Sequence, residues 1–198
     1  MTSVNAFSLI MVLVCVTQLV HSTSQDGDDY VREACNVTQY RDLCIHSLAS
    51  FSNSAKRSPH RWARAAVSVT LSEAKRVTEY LTKMSKSGGM MGREGMALLD
   101  CVQCFEDTID NLHDSLGELR RLVTETFDTQ VNDVETWMSA ALTDEETCLD
   151  GFSERKGRRV KALRNRVLNV TYATSNALAF VTNLAMIGAG NLTNPLRA

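Results

Sequence analysis

The stretch from Ala97 to Phe152 decides how this chain is read. It holds two blocks, ALLDCVQCFEDTIDNL (97–112) and VETWMSAALTDEETCLDGF (134–152), each delivering a cysteine beside a helix-spaced segment. In the first, Leu98, Cys101, Phe105, Thr108, Ile109, Leu112, Leu116 and Leu119 recur at steps of three and four, which gathers them on one face of an α-helix. Gln103, Asp107, Asp110 and Asp114 share the same spacing and form a polar stripe away from that face. In the second, Phe127-Asp128-Thr129 reads as a turn, and Val131, Val134, Met138 and Ala141 make a shorter apolar stripe. Thr143-Asp144-Glu145-Glu146 has the form of a capping box, which predicts a fresh helix start with Cys148 in its first turn. A disulfide between neighbouring helices would account for Cys101 and Cys148 together.

Two further helices frame this pair. Ser58-Pro59 is a helix start, with Ser at the cap and Pro at the first helical position, where its missing N–H costs nothing. Val67, Thr70, Ala74, Val77, Leu81 and Met84 continue it as a bundle-facing stripe until the glycines of SKSGGMMG. From about Gly157 to Ile187, Val160, Leu163, Val167, Val170, Thr174, Ala177, Val181 and Leu184 repeat the spacing, and Gly188 and Gly190 end it. Four amphipathic helices with short connections predict an all-α, antiparallel up-down-up-down four-helix bundle. Upstream, DDYVREACNVTQYRDLCIHSLASF gives two helical pieces, too short to be stable alone, around Cys35 and Cys44. A disulfide there would staple them as an N-terminal helical hairpin, with 53–57 as a polar connector.

The chain has 198 residues, 44% of them hydrophobic, and a formal charge of -2, which fits one globular domain and excludes a strongly basic nucleic-acid binder. With 2 prolines and 10 glycines it favours helix over sheet. The first residues carry an uncharged apolar run, Phe7 to Val20, closed by small residues before QDGDD; this reads as a secretory signal over 1–24. The run is short for a membrane span, and no membrane association is expected once it is removed. The mature part, 25–198, divides into a hairpin (25–57) and a bundle (58–198). Loss of Cys15 with the signal leaves Cys35, Cys44, Cys101, Cys104 and Cys148, so one thiol stays unpaired. Sequons at Asn36, Asn169 and Asn191 accord with secretion.

Residues suited to catalysis do not converge. His21, His46, His60 and His113 are scattered, no phosphate-cradling or nucleophile-elbow motif occurs, and no metal-ligand spacing is present. Cys101-Val-Gln-Cys104 has redox spacing but lies within a helix, away from the N-terminus that would stabilise a thiolate. The run Arg155-Lys156-Gly157-Arg158-Arg159 reads as a solvated face or a contact for an acidic partner. The expectation is a non-enzyme with no catalytic residue, metal or cofactor.

Together, the paired early cysteines of CNVTQYRDLC, the DC followed by an acidic helix, and the AALT…TC…F segment resemble the plant invertase and pectin methylesterase inhibitor family. The resemblance covers nearly all of the mature chain. It implies pairing of Cys35 with Cys44 and Cys101 with Cys148, leaving Cys104 as a reduced, buried thiol. Since the chain ends with the bundle, it implies no catalytic domain. Invertase inhibitors of this type carry Pro-Lys-Phe before the last family cysteine, where this chain has Thr143-Asp144-Glu145-Glu146-Thr147. The resemblance is therefore to the pectin methylesterase branch, with acid invertase as the alternative target and a non-inhibitory secreted helical protein as the rival of another class. It implies a secreted, apoplastic monomer that covers the pectin-binding cleft of the enzyme in a reversible one-to-one complex. Gln103, Asp107, Asp110, Thr147 and Asp150 are the contact positions it implies.

Overall fold

The computed structural model describes residues 29–88 and 90–192, and among them every regular element is helical. The expected signal, 1–24, lies outside the described residues. Short helices α1 (29–34), α2 (Arg41–Leu48) and α3 (Ser52–Ala55) precede four long ones: α4 (Pro59–Lys86), α5 (Arg93–Leu119), α6 (Phe127–Asp150) and α7 (Arg158–Ile187). In α4 the cap is formed as the sequence predicts, Ser58 accepting from the Arg61 amide at 3.4 Å. The helix gives way to Gly88, whose φ of 64° is a left-handed conformation that glycine adopts without steric cost.

Helix α4 packs on α5 and α7, and α6 packs on the same two, so the long helices close a ring around one apolar core. The residues of the predicted stripes on all four are buried, except that Met84 and Ile109 are half-buried. His60 Nε2 donates to the Leu119 carbonyl at 2.6 Å, tying the start of α4 to the end of α5. Burial holds this imidazole below its ordinary pKa, in keeping with a neutral ring that donates from Nε2.

The hairpin is fixed to the bundle by polar as well as apolar contacts. A disulfide joins Cys35 to Cys44 with Cα atoms 5.9 Å apart. The buried Asn176 of α7 then grips the backbone of Tyr40, accepting from its N–H at 3.0 Å and donating to its carbonyl at 2.9 Å. The rings of Tyr40 and Tyr172 stack beside this clamp at 4.0 Å. A polar side chain taken out of water costs little when both its donor and its acceptor are matched in this way.

Three local readings are corrected. Residues 53–57 are not wholly a connector, since α3 ends only at Ala55. Phe127 does not open a turn but the first turn of α6, its ring buried, after a 3-10 turn at Thr124–Thr126. The capping box at 143–146 is not a helix start: α6 runs unbroken to Asp150, Thr143 Oγ1 donates back to the Ser139 carbonyl at 3.0 Å, and Cys148 lies in the last turn. The reason is periodicity. Glu145 and Cys148 prolong the stripe of Val134, Met138 and Ala141, and tertiary packing of that stripe overrides a local capping preference.

Continuing the stripe through Glu145 buries a carboxyl completely. Thr174 Oγ1 lies 2.6 Å from Glu145 Oε1 and 3.1 Å from the Val170 carbonyl. One hydroxyl proton cannot serve both acceptors, whereas a protonated Glu145 donating to Thr174 satisfies the relay. The other carboxyl oxygen, Oε2, has no partner among the described residues. Desolvation, against the opposing Thr174 and Thr171 hydroxyls and with help from Asp144 and Glu146, pushes its pKa up from 4.5 to about 8.

The unfolded carboxyl ionises near 4.5 and the folded one near 8, so the contribution is fully present below the lower value. It is lost across that window at up to about 1.4 kcal/mol per pH unit. We predict that urea unfolding of the native chain shows stability declining as pH rises through this window more steeply than in Glu145→Gln, which keeps the shape without the charge. Parallel profiles for the two proteins would show that Glu145 is not the titrating group.

Candidate functional site

Helices α5 and α6 lie antiparallel and are joined covalently: Cys101 pairs with Cys148, with Cα atoms 4.4 Å apart. Farther along the seam, Thr108 Oγ1 donates to the Ala141 carbonyl at 3.4 Å. These ties set the rotation of α5. His113 is turned toward α4, where its Nε2 lies 2.9 Å from Lys75 Nζ, and Asn111 is turned toward α6, donating to Asp144 Oδ2 at 3.3 Å. Between those two directions, Gln103, Asp107, Asp110 and Asp114 ride the outer crest, all exposed. Gln103 Nε2 donates to Asp107 Oδ1 at 3.1 Å, an i,i+4 pair that orders the middle of the crest.

Thr147 and Asp150 are exposed in the last turn of α6, at the same end of the seam as Cys101 and Gln103. The five contact positions implied by the resemblance are thus all exposed, three on α5 and two in the last turn of α6. Sequence reading missed two neighbours in this seam, Asp144 and Asn111. The capping-box reading puts Asp144 at a helix start; its offsets of three from Ala141 and four from Cys148 are the signal that places it in the seam. Partial burial, and next the charge of Asp107, raise the Asp144 pKa, with Asn111 opposing. Two carboxylates held close in this manner form a face whose negative charge is relieved by a proton or by an incoming cation.

The unpaired thiol, Cys104, sits in the same seam, half-buried rather than buried as expected. Burial raises its pKa, and so do Asp144, Asp107 and Asp100, an environment opposite to the electropositive one that activates a nucleophilic cysteine. No group of three or more potential metal ligands occurs among the described residues.

The basic run lies where α6 passes into α7. Arg155 Nε donates to the Gly151 carbonyl at 2.9 Å and Arg164 Nη1 to the Leu149 carbonyl at 3.4 Å. Cations placed there satisfy the free carbonyls at the end of α6. Asn36 and Asn169 are exposed, whereas the sequon at Asn191 extends outside the described residues. No helix among the described residues is long and apolar enough to cross a membrane.

Residues 29–180 match the family described as plant invertase/pectin methylesterase inhibitor. Pectinesterase inhibitor 6 of Arabidopsis thaliana is 44% identical over 161 residues, covering 80% of this chain and 77% of that protein. Pectinesterase inhibitor 9 of the same plant is 37% identical over 188 residues, covering 89% and 92%. In three dimensions, the crystal structure of a mutant form of a pectin methylesterase inhibitor from Arabidopsis superposes with a TM-score of 0.62 at 22% identity, covering 76% of this chain and 93% of that one, which shows a shared fold. On the match over 29–180 and these relatives, the chain belongs to the plant invertase/pectin methylesterase inhibitor family, as an inhibitor-type protein rather than an enzyme.

Proposed function

We propose that this protein is a secreted inhibitor of pectin methylesterase, released by removal of residues 1–24, and that the α5–α6 face is what it lays against the enzyme. In this reading, residues 25–198 act in the cell wall as a monomer, the complex is reversible and one to one, and the bundle covers the pectin-binding cleft. The observation that carries it is the acidic crest. Gln103, Asp107 and Asp110 stand exposed on a helix that is pinned to its neighbour by a disulfide, with Thr147 and Asp150 beside them. A rigid face needs little ordering on binding, which lowers the entropic cost of association. Its charge suits an enzyme that presents cations around the groove in which it holds an anionic polysaccharide. Thr143–Thr147 stands where invertase inhibitors carry Pro-Lys-Phe, which favours the esterase over acid invertase as the target.

Two tests follow. Asp107→Lys with Asp110→Lys should reduce inhibition of a plant pectin methylesterase by at least about a hundredfold, as expected for reversal of two interface charges. Melting temperature should barely move, because exposed substitutions stay within about 0.5 kcal/mol each. Native-like inhibition by this variant would remove the crest from the mechanism, and a parallel titration against acid invertase tells which enzyme is bound. Second, a bulky maleimide on Cys104 should weaken inhibition while Cys104→Ser leaves it intact. Full activity of the labelled protein would place the contact elsewhere.

A further inference from the structure

On the side of the bundle opposite the α5–α6 seam, a groove of about 540 Å³ runs between the hairpin, α4 and α7, with Asn169 at its edge. Its floor and wall are apolar: Leu43, Phe51, Val69 and Ala173, all half-buried. Ala173 is one turn beyond Asn169 on the same face of α7, and its small side chain leaves the way from Asn169 into the groove open. Around this floor stand polar groups. Ser47 Oγ donates to the Leu43 carbonyl at 2.7 Å and Ser72 Oγ to the Ser68 carbonyl at 3.0 Å, which leaves their lone pairs free to accept. Arg76 and Glu73, paired with each other, also line the groove.

We propose that this groove is the seat of the first sugars of an N-linked glycan on Asn169, so that the modification is part of the packed structure. The proposal rests on the secretory reading above, since only a chain that enters the secretory pathway acquires such a glycan. A pyranose has apolar C–H faces and a rim of hydroxyls and, in the amino sugars, an amide. An apolar floor ringed by hydroxyl acceptors and a charged pair matches both parts. The volume lies within the roughly 300–1,000 Å³ of small-molecule sites. Tethering matters most: a sugar attached at the edge is present at an effective concentration near the millimolar range, so contacts too weak to hold a free saccharide suffice to seat it.

The sequon also says when the sugar must arrive. Thr171 is buried, its hydroxyl donating to the Val167 carbonyl at 3.1 Å. The hydroxyl needed for recognition of Asn169-Val170-Thr171 is thus inaccessible once α7 has docked, and attachment precedes that step. Because α4 and α7 lie across the ring from the α5–α6 seam, a glycan in this groove leaves the acidic crest uncovered.

The test uses the full chain secreted from plant cells. Glycopeptide mass spectrometry should find Asn169 occupied. Peptide-N-glycosidase should then release that glycan at least about tenfold more slowly from the native protein than from the denatured one. Ala173→Phe, which blocks the way in, should abolish the difference, and Phe51→Ala, which removes the wall, should reduce it if the first variant fails to fold. An unmodified Asn169 on secreted protein overturns the proposal, as does equal release from native and denatured chain. Retention of the chain inside the cell, with Asn36 and Asn169 both bare, overturns the secretory reading and this proposal with it.

Discussion

The bond between Cys101 and Cys148 is the constraint on which the α5–α6 pair depends. It spans 47 positions, and closing a loop of that length removes about 4 kcal/mol of chain entropy from the unfolded state by the loop-entropy estimate. It also fixes the axial offset and rotation of two consecutive helices by joining the start of α5 to the end of α6. With Cα atoms 4.4 Å apart at the crosslink, α5 has little freedom to roll. Asn111 must then face α6 and His113 must face α4, and the carboxylates between them must face outward. A face that would be a solvated stripe on a free helix becomes a rigid surface with a defined neighbour.

The same closeness makes the seam electrostatically uneasy. Burial and the neighbouring Asp107 charge raise the cost of ionising Asp144, and burial with the Asp144 and Asp107 charges holds Cys104 as a thiol. On the inner side of α6, Glu145 is buried among apolar residues with a threonine as its partner. The helix therefore carries acid groups on two sides, one set open to a binding partner and one neutral within the core. Asp144 and Glu145 both become easier to keep as pH falls, since each has a raised pKa.

Much of the fold was legible in sequence because three-four periodicity is a strong signal in long helices. The stripes of α4 through α7, the Ser58 cap and the terminating glycines could all be read from spacing alone. Glu145 could not: its type says surface, its position says core, and only the continuation of the stripe decides between them. Asn176 was equally silent, because its partner Tyr40 is 136 positions away and nothing local marks an asparagine that clamps a distant backbone. The site was half legible. Spacing identified the crest of α5, but resemblance alone singled it out as a contact, and Asp144 was lost to a capping motif that packing overruled.

In the proposed complex one rigid face, α5 with the end of α6, meets the enzyme. Carboxyl footprinting tests it most directly: carbodiimide-driven labelling of the protein, free and in complex with a plant pectin methylesterase, read residue by residue by mass spectrometry. Asp107, Asp110 and Asp150 should lose most of their labelling in the complex, while Glu79 and Glu154, exposed on α4 and after α6, label as before. Unchanged labelling of the three aspartates in a saturated complex would contradict the account.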